Sequence, residues 1–128
     1  MKNETVAYLT GADKAIFQAR AILEINFPEQ AARLAYYAEF YAAQALIFER
    51  TERVAKTHKG VRRLFHQLAA AETGMDPRLA GDLTHGYQFK QLADYEAGTD
   101  ASVSLEDAAD AIEVAVHFVA SVRQSLTA

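Results

Sequence analysis

An all-α chain, an up-and-down bundle of about five helices, is what this sequence predicts, and three observations predict it. Of the 128 residues, 51% are hydrophobic and 23% charged, the balance of a folded globular domain rather than of a disordered tract. There are only two prolines and six glycines, while Ala, Leu and Glu, all good helix formers, are the three commonest residues. Apolar residues recur at helical spacing in stretches separated by proline, glycine or short polar breaks. A chain of this length supports one hydrophobic core, so residues 1–128 are expected to form a single domain.

The first helix is expected from about Val6 to Ile25, where Leu9, Ala12, Ile16, Ala19 and Leu23 share a face. Asn26-Phe27-Pro28 ends it and opens the second, because proline is tolerated in a first turn and breaks an interior. The second helix, about Pro28 to Arg50, is apolar nearly all round and should therefore be central, with neighbours on several sides. Its alanines allow close approach, and Tyr36, Tyr37, Phe40, Tyr41 and Phe48 supply bulk. Arg33, Glu39 and Gln44 interrupt it, and charges are expensive at a bilayer centre, so it reads as a buried helix and no membrane association is expected. A domain this small covers such a helix incompletely, which predicts a homodimer that buries one aromatic face.

A third helix is expected from about His58 to Ala71, with Thr57 as N-cap and Val61, Leu64, Phe65 and Leu68 on its apolar side. Thr73-Gly74 closes it, and Asp76-Pro77 reads as N-cap and first residue of a fourth helix reaching about Tyr95. After the polar loop Gly98-Thr99-Asp100, Ser104-Leu105-Glu106-Asp107 has the form of a capping box. The last helix follows, with Leu105, Ala108, Ile112, Ala115, Val119, Val122 and Leu126 as its buried stripe.

Composition also excludes chemistry. The chain has no cysteine, which removes disulfides, thiolate nucleophiles and cysteine-based metal sites. A carboxylate-bridged metal bundle needs Glu-x-x-His motifs on several helices, and Asp82 with His85 is the only similar spacing, so no metal or cofactor is expected. Asp13, Lys14, Gln18 and Arg20 break up the first twenty residues, which therefore do not form a signal peptide, and the cytoplasm is the default location.

Net charge is −4, but residues 49–63 carry six basic side chains against two acidic ones. This island can attract a phosphate backbone or an acidic partner. Within it Lys56, His58, Lys59 and Arg62 sit at a helix N-terminus, where backbone N–H groups and the helix dipole favour an anion, and they are the candidate nucleotide- or phosphate-binding residues. The competing account is a solvated helix start whose histidine packs on a neighbour. His66 is expected in solvent, and His117 beside Glu113, four residues earlier.

The run Ala35-Tyr36-Tyr37-Ala38-Glu39-Phe40-Tyr41-Ala42-Ala43-Gln44-Ala45-Leu46, then Lys56-Thr57-His58-Lys59-Gly60-Val61, resembles the core signature of small prokaryotic HEPN domains. Asp94-Tyr95 and the capped last helix resemble later parts of the same family, so the likeness covers about residues 5–123. The resemblance implies a helical bundle that usually dimerises around a cleft, often paired with a minimal nucleotidyltransferase in toxin–antitoxin or stress modules. It also implies, in active members, metal-free RNA cleavage by an arginine and a histidine a little over one turn apart on a late helix.

Such cleavage needs a group to manage the 2′-hydroxyl proton and a cation to stabilise charge on the phosphorane. Where relatives carry arginine before the Ala-Asp-Tyr stretch this chain has Lys90, a point charge without arginine's bidentate fork, and no histidine follows it before the loop. The motif is therefore read as degenerate. Arg53 with His58 and Arg78 with His85 match the spacing but lie too early, and no catalytic residue is assigned. Tyr87, Lys90, Asp94 and Tyr95 are expected along an inter-protomer groove, the alternative being a local Lys90–Asp94 ion pair with Tyr95 as a packing residue.

The functional expectation is a HEPN-like nucleotide- or RNA-binding protein in a nucleotidyltransferase-associated toxin–antitoxin or stress module. The competing expectation is a noncatalytic scaffold that dimerises and regulates a partner nucleotidyltransferase.

Overall fold

Five helices are present among the residues the computed structural model describes, 1–95 and 103–128: α1 (Asn3–Glu24), α2 (Pro28–Thr51), α3 (His58–Ala71), α4 (Leu79–Tyr95) and α5 (Leu105–Thr127). The polar loop Gly98-Thr99-Asp100 lies outside the described residues. No described helix is long and apolar enough to cross a membrane.

Helix α2 touches all four other helices. Ala31, Ala32, Ala35, Ala38, Ala42, Ala43 and Ala45 are buried along it, and because alanine projects so little, backbones can approach on more than one side. Helix α1 lies antiparallel to α2, after a tight connection in which Asn26 takes the left-handed conformation (φ 71) that asparagine tolerates. The open end of this hairpin is tied by Glu49, which accepts hydrogen bonds from the Lys2 backbone N–H at 2.9 Å and the Thr5 hydroxyl at 2.8 Å. Helix α5 closes the other side, where Arg123 pairs with Asp13 and Arg20 with Glu113 across to α1. Phe118 of α5 meets Phe65 of α3 with ring centroids 5.0 Å apart, both rings fully buried.

The passage from α2 to α3 decides where the functional residues fall. Glu52 ends α2 in the left-handed region (φ 57), and the chain then doubles back along the helix it has just left. Gln44 holds this return, donating from Nε2 to the Ala55 carbonyl at 3.1 Å. Helix α3 therefore begins beside the middle of α2, at Tyr36, and ends beside its C-terminus, where Glu72 pairs with Arg50 and accepts from the Ser125 hydroxyl. Thr57 caps α3 by accepting from the Gly60 N–H at 2.9 Å, and Ser104 caps α5 from the Asp107 N–H at the same distance.

Four sequence expectations need correction. Helix α4 starts at Leu79 rather than Pro77, because Asp76 first makes a turn in which its carboxylate accepts from the Arg78 N–H at 2.9 Å. His117 faces Asp76 at 3.2 Å and not Glu113, which Arg20 occupies. Leu105 is half exposed, so the buried stripe of α5 begins at Ala108. Tyr95 is 88% exposed and is no packing residue.

Candidate functional site

The return segment delivers His58, the first residue of α3, to a nest of aromatic rings contributed by α2 and α4. Its Nδ1 lies 2.8 Å from the hydroxyl of Tyr36. Tyr36 is almost wholly buried, and burial pushes its phenol well above the ordinary value, so the hydroxyl keeps its proton and can donate it to Nδ1. A neutral His58 accepting there carries its own proton on Nε2. The imidazole centroid is 5.0 Å from both Phe40 and Tyr87 and 6.3 Å from Tyr37.

Cations surround this histidine. One turn along α3, the guanidinium carbon of Arg62 sits 4.2 Å from the centroid of the Tyr87 ring, a cation–π contact. Its Nη1 is covered and has no hydrogen-bond partner among the described residues. Lys90 of α4 stands over the Tyr37 ring, with Nζ 6.0 Å from the centroid, and pairs with Asp94 at 2.6 Å. Asp94 also takes Arg33 of α2, whose Nη2 donates to the Ala93 carbonyl at 3.0 Å. Burial disfavours the charge of Asp94, but the hydrogen bonds from Lys90 and Arg33 outweigh it and hold its carboxyl below the usual range. Arg33 and Lys90 thus share one carboxylate while Arg62 lies over the Tyr87 ring, which leaves a positive surplus. Burial first, then Lys90 and Arg62, push the His58 pKa down and favour the neutral imidazole.

The residues singled out in the sequence separate into two sets. His58 and Arg62 from the basic island, and Tyr87, Lys90 and Asp94 from the expected groove, meet in one cluster. Lys56, Lys59 and Tyr95 are exposed outside it. Tyr87, Lys90, Asp94 and Tyr95 also border an open depression of about 620 Å³ along the outer side of α4. Neither spacing match forms a site: Arg78 is engaged by Asp76, His85 lines a separate cavity, and Arg53 is exposed while His58 turns to Tyr36.

Sequence reasoning missed Tyr36, Tyr37 and Phe40 as the walls of the site, having read them only as bulk, and missed Arg33 altogether. His58 and Arg62, one turn apart on one helix, were legible as candidate phosphate-binding residues from the basic island. Nothing local marks Arg33, whose partner Asp94 lies sixty-one positions away.

Chemically, the cluster offers cationic donors and one imidazole N–H beside partly exposed aromatic faces. Donors of this kind suit phosphate oxygens, and the faces suit a base. Among the described residues no three His, Asp or Glu side chains are placed to hold a metal ion.

Comparison with known proteins fits this architecture. The HEPN domain family matches residues 5–125, nearly the whole chain. The chain belongs to the HEPN family. A similar protein of Methanocaldococcus jannaschii, bearing the name "Putative toxin MJ0142", is 27% identical over 96 residues, which cover 75% of this chain. The HEPN chain described here spans 65% of the length of that relative.

Proposed function

We propose that this HEPN domain binds single-stranded RNA or a nucleotide through a phosphate held by His58 Nε2, Arg62 and Lys90, with a base lying on Tyr87 or Tyr37. The convergence of those three donors from two helices onto a tyrosine-lined face carries the reading. Lys56 and Lys59, exposed beside it, extend the positive field that draws a polyanion in. The name borne by the archaeal relative agrees with a place in a toxin–antitoxin or stress module, where a nucleotidyltransferase would be the partner.

The reading commits to binding and not to cleavage. His58 and Arg62 are the residue types that metal-free cleavage uses, but α4 carries Lys90 and no following histidine in the family's arginine-then-histidine arrangement. Fluorescence polarisation of a labelled RNA oligonucleotide tests the binding. Replacing Arg62 and Lys90 together by alanine is expected to weaken affinity by about a hundredfold or more, since hydrogen bonds to charged groups contribute roughly 1.5–3 kcal/mol each. Lys56 and Lys59 replaced together should reduce mainly the salt dependence. Unchanged affinity in the Arg62/Lys90 variant would remove the site.

One observation favours the second reading, that of a scaffold which dimerises and regulates a partner nucleotidyltransferase. Tyr95 and Leu92 stand exposed on the rim of the α4 depression, where a second copy or a partner chain could cover them. Protein inert toward RNA that still forms a stable complex with a nucleotidyltransferase would make this the better account.

A further inference from the structure

On the opposite side of α4 from the His58 cluster lies a cavity of about 390 Å³, bounded by α2, α4 and α5. Its polar lining is acidic: Asp82 comes from α4, Asp107 and Asp110 from α5, and no lysine or arginine lines it. Phe89 and Val114 give it apolar walls. Glu39 of α2 also borders it. This residue is only 2% exposed, and its Oε1 is shut off from water with no hydrogen-bond partner among the described residues.

The backbone is built around that carboxylate. A methyl group placed on Gly86 of α4 would come within 2.6 Å of Glu39 Oε1, so glycine at this position leaves the space the acid fills. A buried carboxyl oxygen without a donor is costly, and a glutamine or an aliphatic side chain of similar size would avoid placing an ionisable group there. A cation with N–H donors entering the cavity would supply what the carboxyl lacks.

We propose that the α2–α4–α5 cavity binds a small organic cation, an amine or guanidine on a short alkyl body, with Glu39 as its buried counter-ion. The volume lies in the range of small-molecule sites. Among the described residues the acids and His85 do not converge as a metal ion requires, so the charge to be matched is spread over the cavity, as it is on a diamine or polyamine. Methylene groups suit Phe89 and Val114, and the rim carboxylates suit a second ammonium.

Burial, then Asp82, raise the Glu39 pKa well above its ordinary value. Asp82 and His85 of α4 and Asp107 and Asp110 of α5 are the other titratable groups lining the cavity, and none of these carboxylates favours a second negative charge beside them. A cation reverses that balance and ionises Glu39, so binding releases a proton.

Isothermal titration calorimetry on the whole, RNA-free chain, with 1,4-diaminobutane, agmatine or spermidine near neutral pH, tests this directly. Salt at roughly 0.15 M screens diffuse attraction. Saturable one-site binding is expected, weakened about tenfold by Glu39→Gln and unaffected by Glu24→Gln, an exposed acid that does not line the cavity. Titrations in buffers of different ionisation heat should detect proton release by the native chain and none by Glu39→Gln. Should Glu39→Gln fail to fold, Asp110→Asn at the rim and Val114→Phe at the wall must each weaken binding instead. Absence of saturable binding, or binding that none of these substitutions changes, overturns the proposal. So does a lysine-containing peptide that binds where all three free amines do not, since the occupant would then be a side chain of a partner protein.

Discussion

His58 owes its chemistry to neighbours that lie far from it along the chain. Its pKa is held down by burial first and then by Lys90 and Arg62, so removing one cation must let it rise. Lys90→Met is therefore expected to move the His58 titration upward, toward the ordinary value of 6.5, as followed by NMR of the imidazole protons. A downward or absent shift would mean that Lys90 does not face the ring. The sign for stability follows from the same depression. The unfolded chain takes up the proton at a higher pH than the folded one, so this contribution is complete above the unfolded value and is lost as pH falls through the folded value. Glu39 behaves in the opposite sense, because its folded pKa is raised from 4.5. Its contribution is complete below that value and is lost as pH rises through the folded pKa. Thermal melts across this range should show native protein losing ground to Glu39→Gln as pH increases; parallel curves would contradict the raised pKa.

At the scale of helices, α2 and α4 pack tightly where Gly86 meets Glu39 and Tyr36. Gly86→Ala gains about 1 kcal/mol of helix propensity but must displace a buried carboxylate, an overpacking cost of roughly 1–3 kcal/mol, so a net loss of stability is expected. In a Glu39→Ala background the obstruction is gone and the same substitution should become neutral or stabilising. Urea denaturation of the four proteins measures the reversal, and equal effects in both backgrounds would show that some other contact sets the helix spacing. Much at this scale could be read from the sequence. Proline at the start of α2, Thr57 and Ser104 as caps and the apolar periodicity of α1 and α5 are local signals, and local signals survive folding. The start of α4 could not be read so well. Asp76-Pro77 looks like a helix opening, but the Asp76 carboxylate is engaged by Arg78 two residues on and by the distant His117, and the turn runs on to Leu79.

The molecule as a whole leaves Phe17, Ile25 and Phe27 exposed toward the α1–α2 connection, and Leu92 and Tyr95 exposed at the end of α4. The aromatic side chains of α2, the face expected to pair two copies, are buried or half-buried within the chain, so a homodimer is proposed through these exposed side chains instead. Sedimentation at micromolar concentration is expected to give twice the chain's 14.1 kDa, with Tyr95→Glu and Leu92→Glu together shifting the equilibrium toward monomer. A single species of monomer mass in the native protein would end that expectation. The candidate site was legible only in pieces. Charge counting found His58 and Arg62, and the family resemblance found Lys90 and Asp94, but nothing in one dimension says that the two groups meet. Their meeting depends on a chain reversal whose tether is one buried glutamine of α2, Gln44.

That reversal makes length, more than composition, the sensitive property of the six residues from Glu52 to Thr57. An extended chain advances about 3.3 Å per residue, more than a hydrogen bond tolerates. One inserted or deleted residue there would slide the imidazole past Tyr36 while leaving every helix able to form. The resulting protein would be well folded and would lose the proposed RNA or nucleotide binding, a behaviour that substitutions at the same positions are not expected to reproduce.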